Sequence, residues 1–416
     1  MEYFNRITPE YLAALKGSHI RYKVKIELLN ANETGIGEIT GDLSITAQGQ
    51  ITVNRQQITR RSCSLSLINI GGKYNPNRNR WFWINRKFKL WIGTVFRQSS
   101  GTKENICWFS QGVYYATNAK SDGHTISIEG VDKGGALDGT LKLNMIGEKT
   151  IIKSGSKLSD LFRDTLLLSD GVSVVDPIPP LIDTYFNNVI IQQDIELNDN
   201  QYIGELFSQI AESYGANVYY DGDGRLRVER AFTENGFHLY HFKGETYHFM
   251  ESHPSYSAAS VNYSFECSNA ITVYTNINAK DSEGNTIENV SYTAYNRSPL
   301  SPVSIKEIGI RRMESIEVGY VDGITAEEMT DRCRQTAKYY LLNESLVKLT
   351  VNFSGSIVPH INVDDVITIT DSYKELYGEK FVVQSLTFPL SAGEMSIEAT
   401  NLSYLPNNID IEREVG

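Results

Sequence analysis

Four short runs between Leu346 and Leu402 carry a period of two. Val347, Leu349, Val351 and Phe353 interleave with Leu346, Lys348, Thr350 and Asn352. Val366 to Thr370 follows the turn at Asp364–Asp365. Phe381 to Pro389 is the third run, and Met395, Ile397 and Ala399 set against Glu394, Ser396 and Glu398 form the fourth. Successive side chains of a strand point to opposite faces, so each run has one side for a core and one for water. Regularly spaced runs with turns between them predict a small antiparallel sheet. An open edge recruits other chains, so the sheet is expected to curl or close.

The first third follows the same pattern. A short helix over Pro9–Lys16 has Tyr11, Leu12 and Leu15 on one side. Strands follow at Tyr22–Leu28, from Leu43 and Ile45, over Arg60–Leu67, over Phe88–Ile92 ending at Gly93, at Val113–Tyr115 and at Thr125–Glu129. Gly35-Ile36-Gly37 and the Gly71–Pro76 stretch are expected turns or loops. From about Ile146 the period becomes helical. Ser156 caps a helix bearing Leu158, Leu161, Phe162 and Leu166, and Pro177, Pro179 and Pro180 stiffen a connector. A second helix carries Tyr202 to Tyr214, and Gly215 stops it. Val218–Tyr220, the turn Asp221-Gly222-Asp223-Gly224 and Leu226–Val228 predict a hairpin. Strands resume after His238, with a polar loop or exposed hairpin over Asn285–Arg297. A capping box at Thr325–Glu328 opens a helix that turns Met329, Cys333, Ala337, Tyr340 and Leu341 inward. The fold class is mainly β with α+β: two tube-like antiparallel β-barrel/sandwich domains with a small α+β middle module. The divisions are 1–145 (with the leading helix), 146–236, 237–403 (containing a helix at about 326–342) and a tail at 404–416.

Composition narrows the function. The net charge of −11 argues against a protein that holds nucleic acid by neutralising its phosphates. Cys63, Cys107, Cys267 and Cys333 are widely spaced and contain no C-x-x-C pair, so they are expected as buried, reduced thiols. No signal-peptide core and no apolar run of about 20 residues is present, so synthesis in a cytoplasm and no membrane insertion are expected.

Motifs for chemistry are weak. Gly35-x-Gly37 with Gly41 misses the dinucleotide spacing and leads into a strand. Asp221–Gly224 begins like a calcium loop but has Phe232 where the twelfth-position carboxylate belongs, so a hairpin turn is favoured. His238, His241 and His248, with Glu251 and His253 nearby, are the best metal candidates. On a strand His238 and His241 would face opposite ways, which spoils chelation. No nucleophile elbow, zinc-protease helix motif or P-loop occurs. No catalytic, cofactor-binding or metal residue is assigned, and no cofactor is expected.

In several places the chain resembles the hub proteins of bacteriophage tail tips and baseplates. Ser62–Asn69, the Gly71–Asn75 loop and Arg86–Gly93 resemble the family's first tube-type barrel. Leu158–Leu161, Tyr202–Phe207 and Asp221–Leu226 resemble its middle module, and Ser301–Gly309 a stretch before its late helix. Val358–Ile367 and Gly393–Ile397 resemble its last barrel. The family's usual glycine before Asp-Val is missing at Asp364-Asp365-Val366. The resemblance implies a homotrimer without catalysis whose two barrels per subunit let a threefold tip meet a sixfold tail tube. It implies as partners the tail tube, distal tail, tape measure and tip spike or fibre proteins, with DNA passing unbound through an acidic bore. It places the protein in the virion tail, made in the bacterial host. A cell-wall or polysaccharide hydrolase and a carbohydrate-binding adhesin are the alternatives.

Overall fold

The computed structural model describes residues 1–17, 20–44, 49–55, 58–78, 86–97, 103–141, 150–166, 175–191, 195–197, 201–233, 239–275, 279–280, 286–287, 290–299, 301–318, 326–402 and 411–412. Helix α1 (Pro9–Leu15) is capped by Thr8, whose side chain accepts from the Tyr11 amide. Six strands build the first unit: β1 (Arg21–Leu29), β2 (Gln50–Asn54), β3 (Arg61–Ile68), β4 (Lys87–Arg97), β5 (Glu104–Ser121) and β6 (Thr125–Asp132). Their spatial order is β2-β3-β6-β5-β4-β1, antiparallel throughout. Strand β5 is long enough to turn the corner. Glu104–Tyr115 pairs with β4, while Tyr114–Ser121 pairs with β6.

The middle module packs helices α2 (Leu158–Leu166) and α3 (Ile203–Tyr214) with the hairpin β7 (Ala216–Tyr220) and β8 (Leu226–Arg230). Its core includes Leu158, Phe162, Phe207, Val218 and Val228. Gly215 ends α3 at φ 60°, the left-handed turn expected of it.

The second unit is built from β9 (Glu245–Met250) and β10 (Ser257–Ser264), then, after an insertion, from four more strands. The insertion contains β11 (Ala270–Tyr274), β12 (Ser291–Asn296), β13 (Met313–Glu317) and helix α4 (Ala326–Glu344). Helix α4 buries Met329, Cys333, Ala337 and Leu341 against Ile271, Val273, Tyr292 and Ala294, a core of its own. The unit resumes with β14 (Lys348–Gly355), β15 (Val366–Asp371), β16 (Leu376–Pro389) and β17 (Met395–Asn401), in the order β10-β14-β17-β16-β15-β9. Renumbered from each unit's first strand, this is the order of the first unit. Strand β16 also turns a corner, giving Leu376–Val382 to β15 and Phe381–Thr387 to β17.

Several local expectations change. Gly35–Glu38 is a short edge strand on β1 and not a turn. Strand β4 runs through Gly93 to Arg97, because that glycine leaves room for Trp108; an added Cβ would lie 2.6 Å from the indole ring. Tyr292, Ala294 and Tyr295 of β12 are buried, so Asn285–Arg297 includes a core strand in place of an exposed loop. Cys63, Cys107 and Cys333 are buried free thiols, whereas Cys267 is half-exposed. Ile45 and the capping residue Thr325 lie outside the described residues.

One apolar cluster runs through both units. It includes Ile26, Leu65, Phe88 and Ile128 from the first and Phe249, Phe353, Phe381 and Ile397 from the second. Each such fully buried side chain contributes about 1.5–3 kcal/mol.

Candidate functional site at the junction of the two units

Nothing in the sequence marks β2 as special, yet it joins the halves of the molecule. Its residues Gln50, Thr52 and Asn54 alternate with the buried Ile51 and Val53. One edge of β2 pairs with β3. The other pairs with the distal part of β16, in the register Ser385 to Asn54, Leu386 to Val53, Thr387 to Thr52 and Phe388 to Ile51. A single sheet therefore runs β10-β14-β17-β16-β2-β3-β6-β5 across both units. Matching registers keep the same parity all the way. One face carries Ser260 and Asn262, Thr350 and Asn352, Ser396 and Glu398, Ser385 and Thr387, Gln50 and Thr52, Ser62 and Ser64, Ser127 and Glu129, then Asn118 and Lys120. The charges on this face are Glu129, Glu394, which accepts from Ser354 at 2.9 Å, and Glu398, against Lys120 and Lys348.

Behind the ladder lies a buried ion cluster. Asp364 accepts from Arg55 Nε at 2.8 Å, from Arg60 and from the Tyr240 hydroxyl. Burial alone would raise the Asp364 carboxyl, but Arg60 and Arg55 outweigh it and hold the group below its ordinary value. The Arg60 guanidinium lies 3.6 Å from the Tyr219 ring centroid, which ties in the middle module. Asp364 has φ 69°. That is the left-handed region glycine adopts freely, and it accounts for the missing glycine noted in the sequence. Here the chain accepts about 1 kcal/mol of backbone strain and places a carboxylate between two arginines.

A second set of contacts crosses between the units beside it. The Arg61 amide donates to Asp132 at 2.8 Å, and its guanidinium reaches the Gln111 carbonyl at 3.2 Å and the Asn362 side chain. Asp132 is fully buried. Desolvation pushes it up to about 7, against the opposing pull of Arg61. The Gln111 amide donates to the Pro359 carbonyl at 2.7 Å, and the Tyr11 hydroxyl meets His360 Nδ1 at 2.6 Å. Phe109, His360, Tyr247 and Phe249 continue this line of rings into the second core.

The middle module docks through the Asp221–Gly224 turn. Lys133 Nζ donates to Glu33 at 2.6 Å, Asp176 at 2.7 Å and the Gly224 carbonyl at 2.9 Å, and Tyr220 donates to Asp176 at 2.8 Å. Lys87 also pairs with Glu33, at 2.9 Å. Ser110 donates to the Gly222 carbonyl. Asp221 folds the hairpin tip by accepting from the amides of Asp223 and Arg225, both at 2.9 Å.

Of the histidine candidates, the described ones form no metal site. His238 lies outside the described residues, and so does the side chain of His241. His248 Nε2 meets Thr370 Oγ1 at 2.9 Å on the neighbouring strand, and Glu251 accepts from Ser372. Burial lowers His253. Among the described residues no three His, Cys, Asp or Glu side chains gather as a metal site. Gly35 and Gly37 sit on an edge strand and Gly41 in a short 3-10 turn, a geometry without a phosphate cradle. No helix among the described residues is long and apolar enough to cross a membrane.

This architecture, two units of one strand order sharing a sheet and a core, defines a class: it is a fold shared with solved tail proteins and with a PdpA-VgrG complex. No family model matches the sequence, and no curated protein does. Among solved structures, the 43 kDa tail protein of prophage MuSo2 from Shewanella oneidensis is similar at TM-score 0.52 and 14% identity, over 92% of this chain and 98% of that one. The tail protein from Neisseria meningitidis MC58 gives TM-score 0.52 at 10% identity, over 91% and 96%. The Francisella PdpA-VgrG complex, lidded, gives TM-score 0.52 at 11% identity, over 95% of this chain but only 55% of that one.

Proposed function

We propose that this chain is a structural hub of a phage tail tip, a homotrimer that adapts a sixfold tube to a threefold tip. The observation that carries this reading is the fusion of two units of identical strand order into one sheet with a polar face. Three copies of such a chain offer six similar units to a ring, and a closed ring has no free strand edge. The similarity to tail proteins supports the same role.

The polar face is the natural wall of the channel. It is rich in hydroxyls and amides and has no excess of cations, so passing DNA would release few counterions and gain little affinity from it. The partners are then the tail tube, distal tail and tape measure proteins and a tip spike or fibre; the similarity to a chain of the Francisella PdpA-VgrG complex supports attachments of this kind. The role is non-enzymatic and belongs to the virion tail. The domain divisions at about 145, 236 and 403 go with it.

Light scattering tests the reading directly, with a trimer as the expected mass. Zymography on host cell wall is expected to show no clearing, and a lytic zone would overturn the purely structural role.

A further inference from the structure

We infer that Lys133 and Asp176 join through a spontaneous isopeptide bond, an amide from Nζ to the Asp176 carboxyl carbon, with Glu33 carrying the protons. The bond staples the middle module to the first unit and stands independently of the hub reading.

The three groups meet in one buried pocket. Lys133 Nζ lies 2.7 Å from Asp176 Oδ1 and 2.6 Å from Glu33 Oε1. The side chains of Asp176, Lys133 and Glu33 are 0%, 2% and 6% exposed. The Tyr220 ring, its centroid 5.2 Å from Nζ, and the buried Val113 beside Gly224 wall the pocket. Each group comes from a different segment. Lys133 follows β6, Asp176 opens the proline connector, and Glu33 sits beyond β1 at φ 60°.

Hydrogen bonds assign the roles. The Tyr220 hydroxyl donates to Asp176 Oδ2 at 2.8 Å and the Ile178 amide to Oδ1 at 2.9 Å, so both oxygens are polarised and the carbon between them is the electrophile. Glu33 instead bridges two lysines through one oxygen, since Oε1 also accepts from Lys87 at 2.9 Å. It therefore keeps a cationic partner while it relays protons from Lys133.

The chemistry is a condensation. Glu33 takes one proton from the Lys133 ammonium and hands it to Asp176 Oδ1, which leaves a neutral amine beside a neutral acid. Burial favours that pair over two ions. The Nζ lone pair attacks Cγ, and Tyr220 steadies the charge that forms on Oδ2. Glu33 moves a second proton from the nitrogen to Oδ1, which departs with the C–O electron pair as water. One N–C bond forms, one C–O bond breaks, nothing is oxidised or reduced, and Glu33 is returned unchanged. Fixed reactants replace a bimolecular encounter. The amide removes one buried positive and one buried negative charge and leaves Lys87 paired with Glu33.

Mass spectrometry of the purified full chain tests the bond. The intact mass is expected to fall one water below the sequence mass. Trypsin can cut between the two residues at Lys153, Lys157 and Arg163, and the fragments are expected to stay joined on a denaturing gel, with the linked peptide mapping to Lys133 and Asp176. Lys133→Arg, which keeps the positive charge, and Glu33→Gln are expected at their full sequence masses with the circular dichroism spectrum unchanged. The wild-type mass and peptide map decide the bond without any variant. A folded wild-type chain at full sequence mass after prolonged incubation overturns it. A loss of water that maps to another pair of residues, or persists in Lys133→Arg, overturns it equally. A fully linked Glu33→Gln chain overturns the part given to Glu33.

Discussion

The two sheet units share a strand order but not a periphery. In the first, β1 joins β4 antiparallel; in the second, its counterpart β9 joins β15 parallel. Residues 55–60 suffice to link β2 to β3, whereas the equivalent link between β10 and β14 holds an insertion of strands and helices with its own core. The strands of the shared sheet differ far less. Register slips, the two glutamates and the alternation of hydroxyls with apolar residues recur at matching positions. In the proposed hub the inner sheet would meet the same geometric demand at every junction of a ring, and the outer layers would need only to cover it. The difference between the units thus separates what the assembly constrains from what it leaves free.

The junction between the two units has an anchor in Asp364, held by Arg55 and Arg60. Asp364→Ala would take the carboxylate away from the buried Arg60 and the half-buried Arg55, which keeps its bond to Gln384, and is expected to cost about 3 kcal/mol in denaturant unfolding. A loss below about 1 kcal/mol would mean that the ladder alone holds the halves together. Next in size is a pH effect with a different sign in each unit. Burial holds His360 down at about 4, well under its ordinary 6.5. The unfolded chain therefore takes up a proton that the folded one refuses. Stability from this group is complete above pH 6.5 and falls by about 3 kcal/mol as pH drops to 4. The gap between wild type and His360→Gln, followed by urea titration at several pH values, is expected to shrink by that amount. Asp132 acts in the opposite sense. Raised to about 7, it contributes stability in acid that is lost as pH climbs from its ordinary 3.8 through 7. A gap for His360→Gln that does not change with pH would place its imidazole in contact with water. The smallest effect separates strain from charge: Asp364→Gly is expected to be about 1 kcal/mol more stable than Asp364→Ala, because glycine is at ease at φ 69°.

Much of this was legible in the sequence because period-two patterns expose a one-sided sheet. Met395, Ile397 and Ala399 are buried in β17, and Leu65 and Leu67 in β3. The helix stop at Gly215 and the hairpin at Asp221–Gly224 follow from local backbone chemistry alone. The junction was harder to see. Gln50–Asn54 does alternate, but five residues carry no record of which strand they will meet more than 300 residues later. Gly93 suggested an end because a glycine looks like a break until Trp108 is known to lie across it. The missing glycine before Asp365 suggested a departure from the hub pattern. Only the arginines that close on Asp364 explain why a carboxylate is held there in a glycine's conformation.

The unbroken line of rings from Tyr11 through Phe109 and His360 to Tyr247 and Phe249 has a mechanical consequence. A solid with no seam cannot fold along its middle, so a push on one half arrives undiminished at the other. Any widening of an aperture built from such blocks must come from blocks parting at their outer margins.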